Sequence, residues 1–266
     1  MLIRAFNRKW LLTTCLVILA MGVLVRLGMW QLDRLEARRA FNARVQAQID
    51  REALVLNRET LGSDLVNMEY RKVMVQGVYD YANEVALRNQ AYENQWGVHL
   101  ITPLIIEGTQ IAVMIDRGWI PAEDYQSGDW SKFSEPGVVE VRGILRRSQD
   151  KPDFGNRRDE APKPGSGRLT TWNFVNVEGI SHQTPYPLLP VYIQKAPENG
   201  DNGLPIPGLP KLELTEGPHL GYALQWFTFA AILGFGYPVF IRRQEGREQP
   251  SRPQTEGSTS GILTNQ

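Results

Sequence analysis

The sequence predicts an α+β membrane protein in which two transmembrane helices flank one mainly antiparallel, β-rich extracytoplasmic domain. Three observations predict it. Apolar residues concentrate in two runs, one near each end of the 266-residue chain. Between them, short segments alternate apolar and polar residues at the period of a half-buried strand, punctuated by Gly, Pro and Asn. The second run ends abruptly on Arg242-Arg243, the basic flank expected on the cytoplasmic side of a membrane.

The first run follows Arg4, Arg8 and Lys9 and is uncharged over residues 10–25. Extended to residue 32, it reaches across about 30 Å of hydrocarbon at about 1.5 Å per residue. Trp10 and Trp30 bracket it as interfacial aromatics, and Arg26 near its far end has a stem long enough to snorkel to the headgroups. A cleavable signal peptide shares the basic start. Ala20-Met21-Gly22 is a poor cleavage site, and an uncleaved anchor fits better. Leu12-Thr13-Thr14-Cys15 faintly resembles a lipoprotein site, but Thr14 is large and little apolar sequence precedes it. Cys15 is the single cysteine, so no disulfide forms within the chain.

The second run, residues 220–241, contains no charge. It is too long and too uniformly apolar for an ordinary core helix. Its arginine flank places both termini in the cytoplasm and exports the middle. The organisation expected is a cytoplasmic N-terminus at 1–9, a transmembrane helix at 10–32, and an extracytoplasmic domain at 33–218. A second transmembrane helix at 219–241 and a disordered cytoplasmic tail at 242–266 complete it.

Residues 31–50 hold helix formers without Gly or Pro, so the first helix continues beyond the membrane. Strands are expected over 70–79, 85–89, 98–106, 111–120 and 138–145, with weaker ones over 172–177 and 191–195. Gly108-Thr109 reads as a hairpin turn. No βαβ rhythm is visible, so the strands should form an antiparallel sheet curled into a sandwich or partial barrel. Trp119, in an apolar run, should be buried. Residues 150–168 and 196–210, rich in Pro and Gly, read as loops.

Composition excludes several functions. Lys plus Arg and Asp plus Glu are equal at 29 each, without the basic excess of a nucleic-acid binder. A mean hydropathy of −0.31 excludes a polytopic transporter. The histidines His99, His182 and His219 are far apart, and HExxH, CxxC and GxSxG motifs are missing. Pro164-Gly165-Ser166-Gly167 follows no strand and opens no helix, so it is a loop. An enzyme therefore has little support.

His219 stands out by position, one residue before the second run. On a helix, Tyr222, Ala223, Trp226 and Ala230 follow it on one face. An imidazole and two aromatic rings flanked by small residues could hold a flat macrocycle. An interfacial aromatic belt with a hydrated histidine has the same pattern, and the spacing leaves both open. Arg26, Trp30 and Arg34, spaced by four on the first helix, could meet the carboxylates of a cofactor or partner. Plain snorkelling is the alternative.

Several segments resemble the Surfeit-locus family of cytochrome c oxidase assembly factors. Gly28-Met29-Trp30-Gln31-Leu32-Asp33-Arg34 is similar to its Gly-x-Trp-Gln-x-x-Arg motif. Glu69-Tyr70-Arg71 leading to Gly77 and Tyr79-Asp80 resembles its first domain strand. Gly97-Val98-His99-Leu100-Ile101-Thr102-Pro103 and Arg117-Gly118-Trp119-Ile120-Pro121 resemble two further signatures. His219-Leu220-Gly221-Tyr222-Ala223-Leu224-Gln225-Trp226-Phe227 resembles the opening of its second helix. Gly217-Pro218 replaces the asparagine usual before that histidine. The resemblance implies a non-enzymatic role in building haem-copper oxidase, with haem a as cofactor and His219 as its iron ligand. The oxidase core subunit, haem A synthase and membrane lipid are the implied partners. The implied setting is the inner (plasma) membrane.

Overall fold

The computed structural model describes residues 8–149, 151, 159, 167–198, 203–208 and 212–247. The expected loop 150–168, its Pro164–Ser166 stretch, and the tail from 248 onward lie mostly or wholly outside these residues. The chain divides into two compact units, Met1–Ala40 with Thr215–Gln266, and Phe41–Leu214.

The first unit is a pair of helices. Helix α1 runs from Leu11 to Ile49, and its last residues belong to the second unit. Its 39 residues span about 58 Å at about 1.5 Å per residue, so it continues well past a bilayer's thickness as the run of helix formers predicts. Helix α4 spans His219–Arg247; α2 and α3 lie between them in sequence. The tail expected to be disordered from 242 instead continues the helix for six residues, Arg242 to Arg247, because Arg, Gln and Glu are good helix formers. Both helices are long and apolar enough to cross a membrane, and only 11 % of the most apolar stretch of each is buried. A soluble protein's core helix would be mostly covered; these expose Leu12, Leu19, Ile232 and Phe235 instead.

Their contact has coiled-coil periodicity. The covered positions of α1 include Thr14, Val17, Met21, Leu24, Gly28, Gln31, Leu35 and Arg38, in alternating steps of three and four as a heptad seam requires, with Leu27 and Leu32 beside them. Those of α4 are His219, Ala223, Trp226, Ala230, Leu233, Tyr237 and Ile241. At Gly28 the side chain of the facing helix packs directly on the backbone, since a Cβ there would lie 2.6 Å from the Phe227 ring. At one end, the hydroxyls of Thr14 and Tyr237 are 2.7 Å apart and Trp10 meets Phe240 edge to face. At the other, Arg39 forms two 2.8 Å hydrogen bonds to Glu216.

The second unit is built on one eight-stranded sheet. The strands are β1 (Leu54–Leu56), β2 (Lys72–Tyr79), β3 (Val85–Tyr92), β4 (Gln95–Ile106), β5 (Ala112–Pro121), β6 (Val138–Arg147), β7 (Thr171–Trp172) and β8 (Leu188–Lys195). Short helices α2 (Ala122–Gln126) and α3 (Val177–Ser181) interrupt them. The order is β1-β2-β6-β8-β5-β4-β3-β7, and an added β2–β4 pairing closes β2, β6, β8, β5 and β4 into a barrel.

Most pairings are antiparallel, as expected, but β1–β2, β3–β7 and β5–β8 are parallel. The sheet is therefore a mixed barrel. Parallel partners need long crossovers, and here the β5-to-β8 crossover itself contains strands, so no βαβ rhythm announces it. The strand expected over 172–177 stops at Trp172. Asn176 accepts a 2.9 Å hydrogen bond from Gly179 N, and this cap starts α3 instead. The Gly108-Thr109 turn forms as expected, with Thr109 N donating to Ile106 O at 3.1 Å.

The barrel interior is lined by Val73, Val75, Leu104, Ile106, Val113, Ile115, Val141, Leu145, Val191 and Ile193. Each such side chain contributes about 1.5–3 kcal/mol on burial. A second cluster on the opposite sheet face packs Ile101, Met114 and Tyr192 under Trp172, Val177 and Ile180. Trp119 is 4 % exposed, as expected. Beside it, Gly118 has φ +127°, and a Cβ there would lie 2.2 Å from Ile206 O. The glycine permits both the bulge between β4 and β5 and the close pairing of Trp119 with Ile206.

Candidate functional site

Among the predicted site residues, His219 has the most specific setting. It opens α4, with Pro218 O accepting from Tyr222 N in the first turn. Its Nδ1 lies 2.9 Å from Oε1 of Gln31 on the facing helix. The Gln31 oxygen can only accept, so Nδ1 is the donor and, in the neutral ring, the lone pair is on Nε2. No hydrogen bond to Nε2 forms among the described residues. This is the tautomer a metal-binding imidazole needs, with one nitrogen fixed and the other open.

The other predicted residues divide between seam and surface. Trp226 is half-buried in the seam and meets Phe229 edge to face at 6.2 Å. Tyr222 is 48 % exposed. Ala223 and Ala230, which spacing alone could leave as an open groove, are closed over by α1. A flat ligand therefore has access on the flank of the seam, not within it. Arg26, Trp30 and Arg34 are exposed on α1, with the Arg34 guanidinium 6.0 Å from the Trp30 ring. Among the described residues, no hydrogen bond or ring contact joins the Arg26–Trp30–Arg34 stripe to His219, Tyr222 or Trp226. An apolar groove of about 500 Å³ also lies on this unit, lined by Leu24, Phe229, Ile232, Leu233, Gly236, Tyr237 and Phe240.

Gln31 was not singled out by sequence reasoning. The signal was present: counted from Thr14 in steps of three and four, Gln31 falls on the seam, where a polar residue must find a partner.

In the second unit, His99 and Asp116 pair at 2.9 and 3.1 Å. Among the described residues, no serine, threonine or cysteine hydrogen-bonds to either member of the pair. Arg117 is 1 % exposed at one end of the barrel interior. It bonds Glu84 at 3.1 Å, Glu135 at 3.0 Å and the carbonyl of Phe133, between the Tyr79 and Tyr81 rings. Burial pushes the Glu84 carboxyl up, against the opposing pull of Thr102 and Arg117.

The family model for the SURF1 family matches residues 18–231, which includes the barrel and part of each long helix. The chain belongs to the SURF1 family. A SURF1-like protein of Monosiga brevicollis is 25% identical over 237 residues, covering 85% of this chain and 86% of that protein. A SURF1-like protein of Caenorhabditis briggsae is 25% identical over 227 residues, covering 77% and 68%. Surfeit locus protein 1 of Homo sapiens is 22% identical over 236 residues, covering 83% and 75%. The SURF1 family match spans Gly28 to Gln31, the Arg117-Gly118-Trp119 bulge and His219 alike.

Proposed function

We propose that this SURF1 family chain is a non-enzymatic assembly factor for haem-copper cytochrome c oxidase, holding haem a for the core subunit. The observation that supports it is the imidazole of His219, fixed at Nδ1 by Gln31 and open at Nε2. His219 is the iron ligand in this reading. Tyr222 and Trp226 would flank the macrocycle, and Arg26, Trp30 and Arg34 would hold its carboxylates. Haem A synthase and the oxidase core subunit are the partners between which the cofactor passes. The chain is a multi-pass protein of the inner (plasma) membrane with both termini cytoplasmic. An alkaline phosphatase fusion near Pro164 should be active and one after Gln266 inactive; the reverse pattern contradicts this orientation.

A second reading is a scaffold that holds the oxidase subunit without touching haem. The closure of Ala223 and Ala230 by α1 favours it, because it removes the inner part of the groove. Deleting the gene and assaying membranes tests the assembly role common to both. Oxidase activity and haem a content should fall together. Unchanged oxidase activity contradicts both readings.

A further inference from the structure

The barrel has a polar recess at one mouth that the assembly role does not use. On parallel neighbours β5 and β8, inward-facing positions run Val113, Ile115, Arg117 and Val191, Ile193, Lys195. Arg117 and Lys195 thus lie side by side on two adjacent strands and on the same face, where like charges repel unless an anion lies between them. Glu135 supplies one, at 3.0 Å from Arg117 and 3.7 Å from Lys195. The recess is about 320 Å³, lined by these three residues with Lys132, Phe133, Ser134, Leu204 and Pro205.

Two donors in it are unspent. The Lys195 side chain is only 12 % exposed, and its one charged partner among the described residues, Glu135, is beyond hydrogen-bond reach. Arg117 Nε is buried without an acceptor. Polar groups this enclosed are normally satisfied. Glu135 is 41 % exposed on a loop edge, so it can move outward. Glu84 stays behind Arg117 and neutralises it, and Asp124 pairs with Lys132. Displacing Glu135 leaves one uncompensated positive charge, which a single carboxylate group of a ligand matches.

We propose that the recess binds the carboxylate of a small organic acid, whose oxygens take the place of the Glu135 carboxylate between Lys195 and Arg117. A volume near the lower limit of ligand pockets selects a small acid. Isothermal titration of the full chain in detergent, at constant ionic strength, tests it with succinate, succinamide and inorganic phosphate. Succinate should bind saturably in the millimolar range or tighter, and succinamide and phosphate should bind more weakly. Lys195→Met should weaken succinate about ten-fold or more, the loss of one charge-assisted hydrogen bond. Glu135→Gln should tighten it, which a merely unfolded variant cannot do. No succinate binding, equal binding of succinamide or phosphate, or equal binding by the Lys195→Met protein would overturn the proposal.

Discussion

Nδ1 of His219 and Oε1 of Gln31 meet at 2.9 Å across the helix pair. This contact joins two distant sequence motifs and determines which ring nitrogen is open. Replacing Gln31 by Leu keeps the volume but removes the acceptor, so the ring loses its fixed tautomer and orientation. Outer partners of metal-binding histidines typically contribute 10–100-fold, about the loss expected here. Titration of haem into purified Gln31→Leu protein measures it, and unaltered affinity would show that the bond does not orient a ligand.

The Gly28–Phe227 approach should be a point of strict size selection. Gly28→Val forces the helices apart, because the ring at 2.6 Å has no room for a Cβ. Overpacking of this kind costs about 1–3 kcal/mol. Gly22→Val on the same helix meets nothing within 4 Å and should cost little. Adding Phe227→Ala to Gly28→Val should recover part of the loss. Thermal unfolding in detergent across this double-mutant cycle reads the coupling, and additive effects would mean the two residues do not touch.

The Arg117 network should be the least tolerant polar feature of the barrel. Arg117→Met leaves Glu84 buried without its cation, a change that costs about 3–5 kcal/mol. Pairing it with Glu84→Gln should return much of that loss, since the uncompensated charge is gone. Urea unfolding of the variants compares them. A double variant less stable than Arg117→Met alone would contradict this account of the cost.

Asp80 and Tyr186 give the domain a pH dependence whose sign can be worked out. The Tyr186 hydroxyl donates to Asp80 Oδ2 at 2.6 Å. Burial alone would raise the Asp80 carboxyl. Hydrogen bonds from Asn83, Tyr186 and the backbone outweigh it and hold the group below its ordinary value of 3.8. A depressed carboxylate contributes stability above its unfolded value, and that contribution is lost as pH falls through the lower folded value. Tyr186→Phe should therefore cost about 0.5–1.5 kcal/mol near neutral pH and progressively less below pH 3.8. Stability measured against pH for both proteins checks it; a gap that widens in acid would contradict it.

Much of the architecture was legible because the physics behind it is local. The two long helices follow from uninterrupted apolar and helix-forming runs, and the strands from alternation around Val73, Val98, Val113 and Val138. The parallel pairing of β5 with β8 was hidden because it joins residues more than seventy apart through other strands. The site was legible only in part. The spacing of Tyr222, Trp226 and Ala230 gave a helical face, but which neighbour would cover Ala223 and Ala230 depends on the seam with α1. Lys195 was invisible for the same reason, and Gln31 could be read only as a seam position, since each acquires its meaning from a residue on a different element.

The absorption spectrum of the full chain, purified from haem a-producing cells, reads out whether His219 holds haem iron. The natural protein should show a haem a band. His219→Ala should abolish it while leaving membrane insertion intact, because insertion depends on the apolar run that follows. Arg26 and Arg34 replacements should weaken the band less, as expected for exposed charges. A His219→Ala protein with an undiminished haem a band would contradict the ligand role assigned to His219.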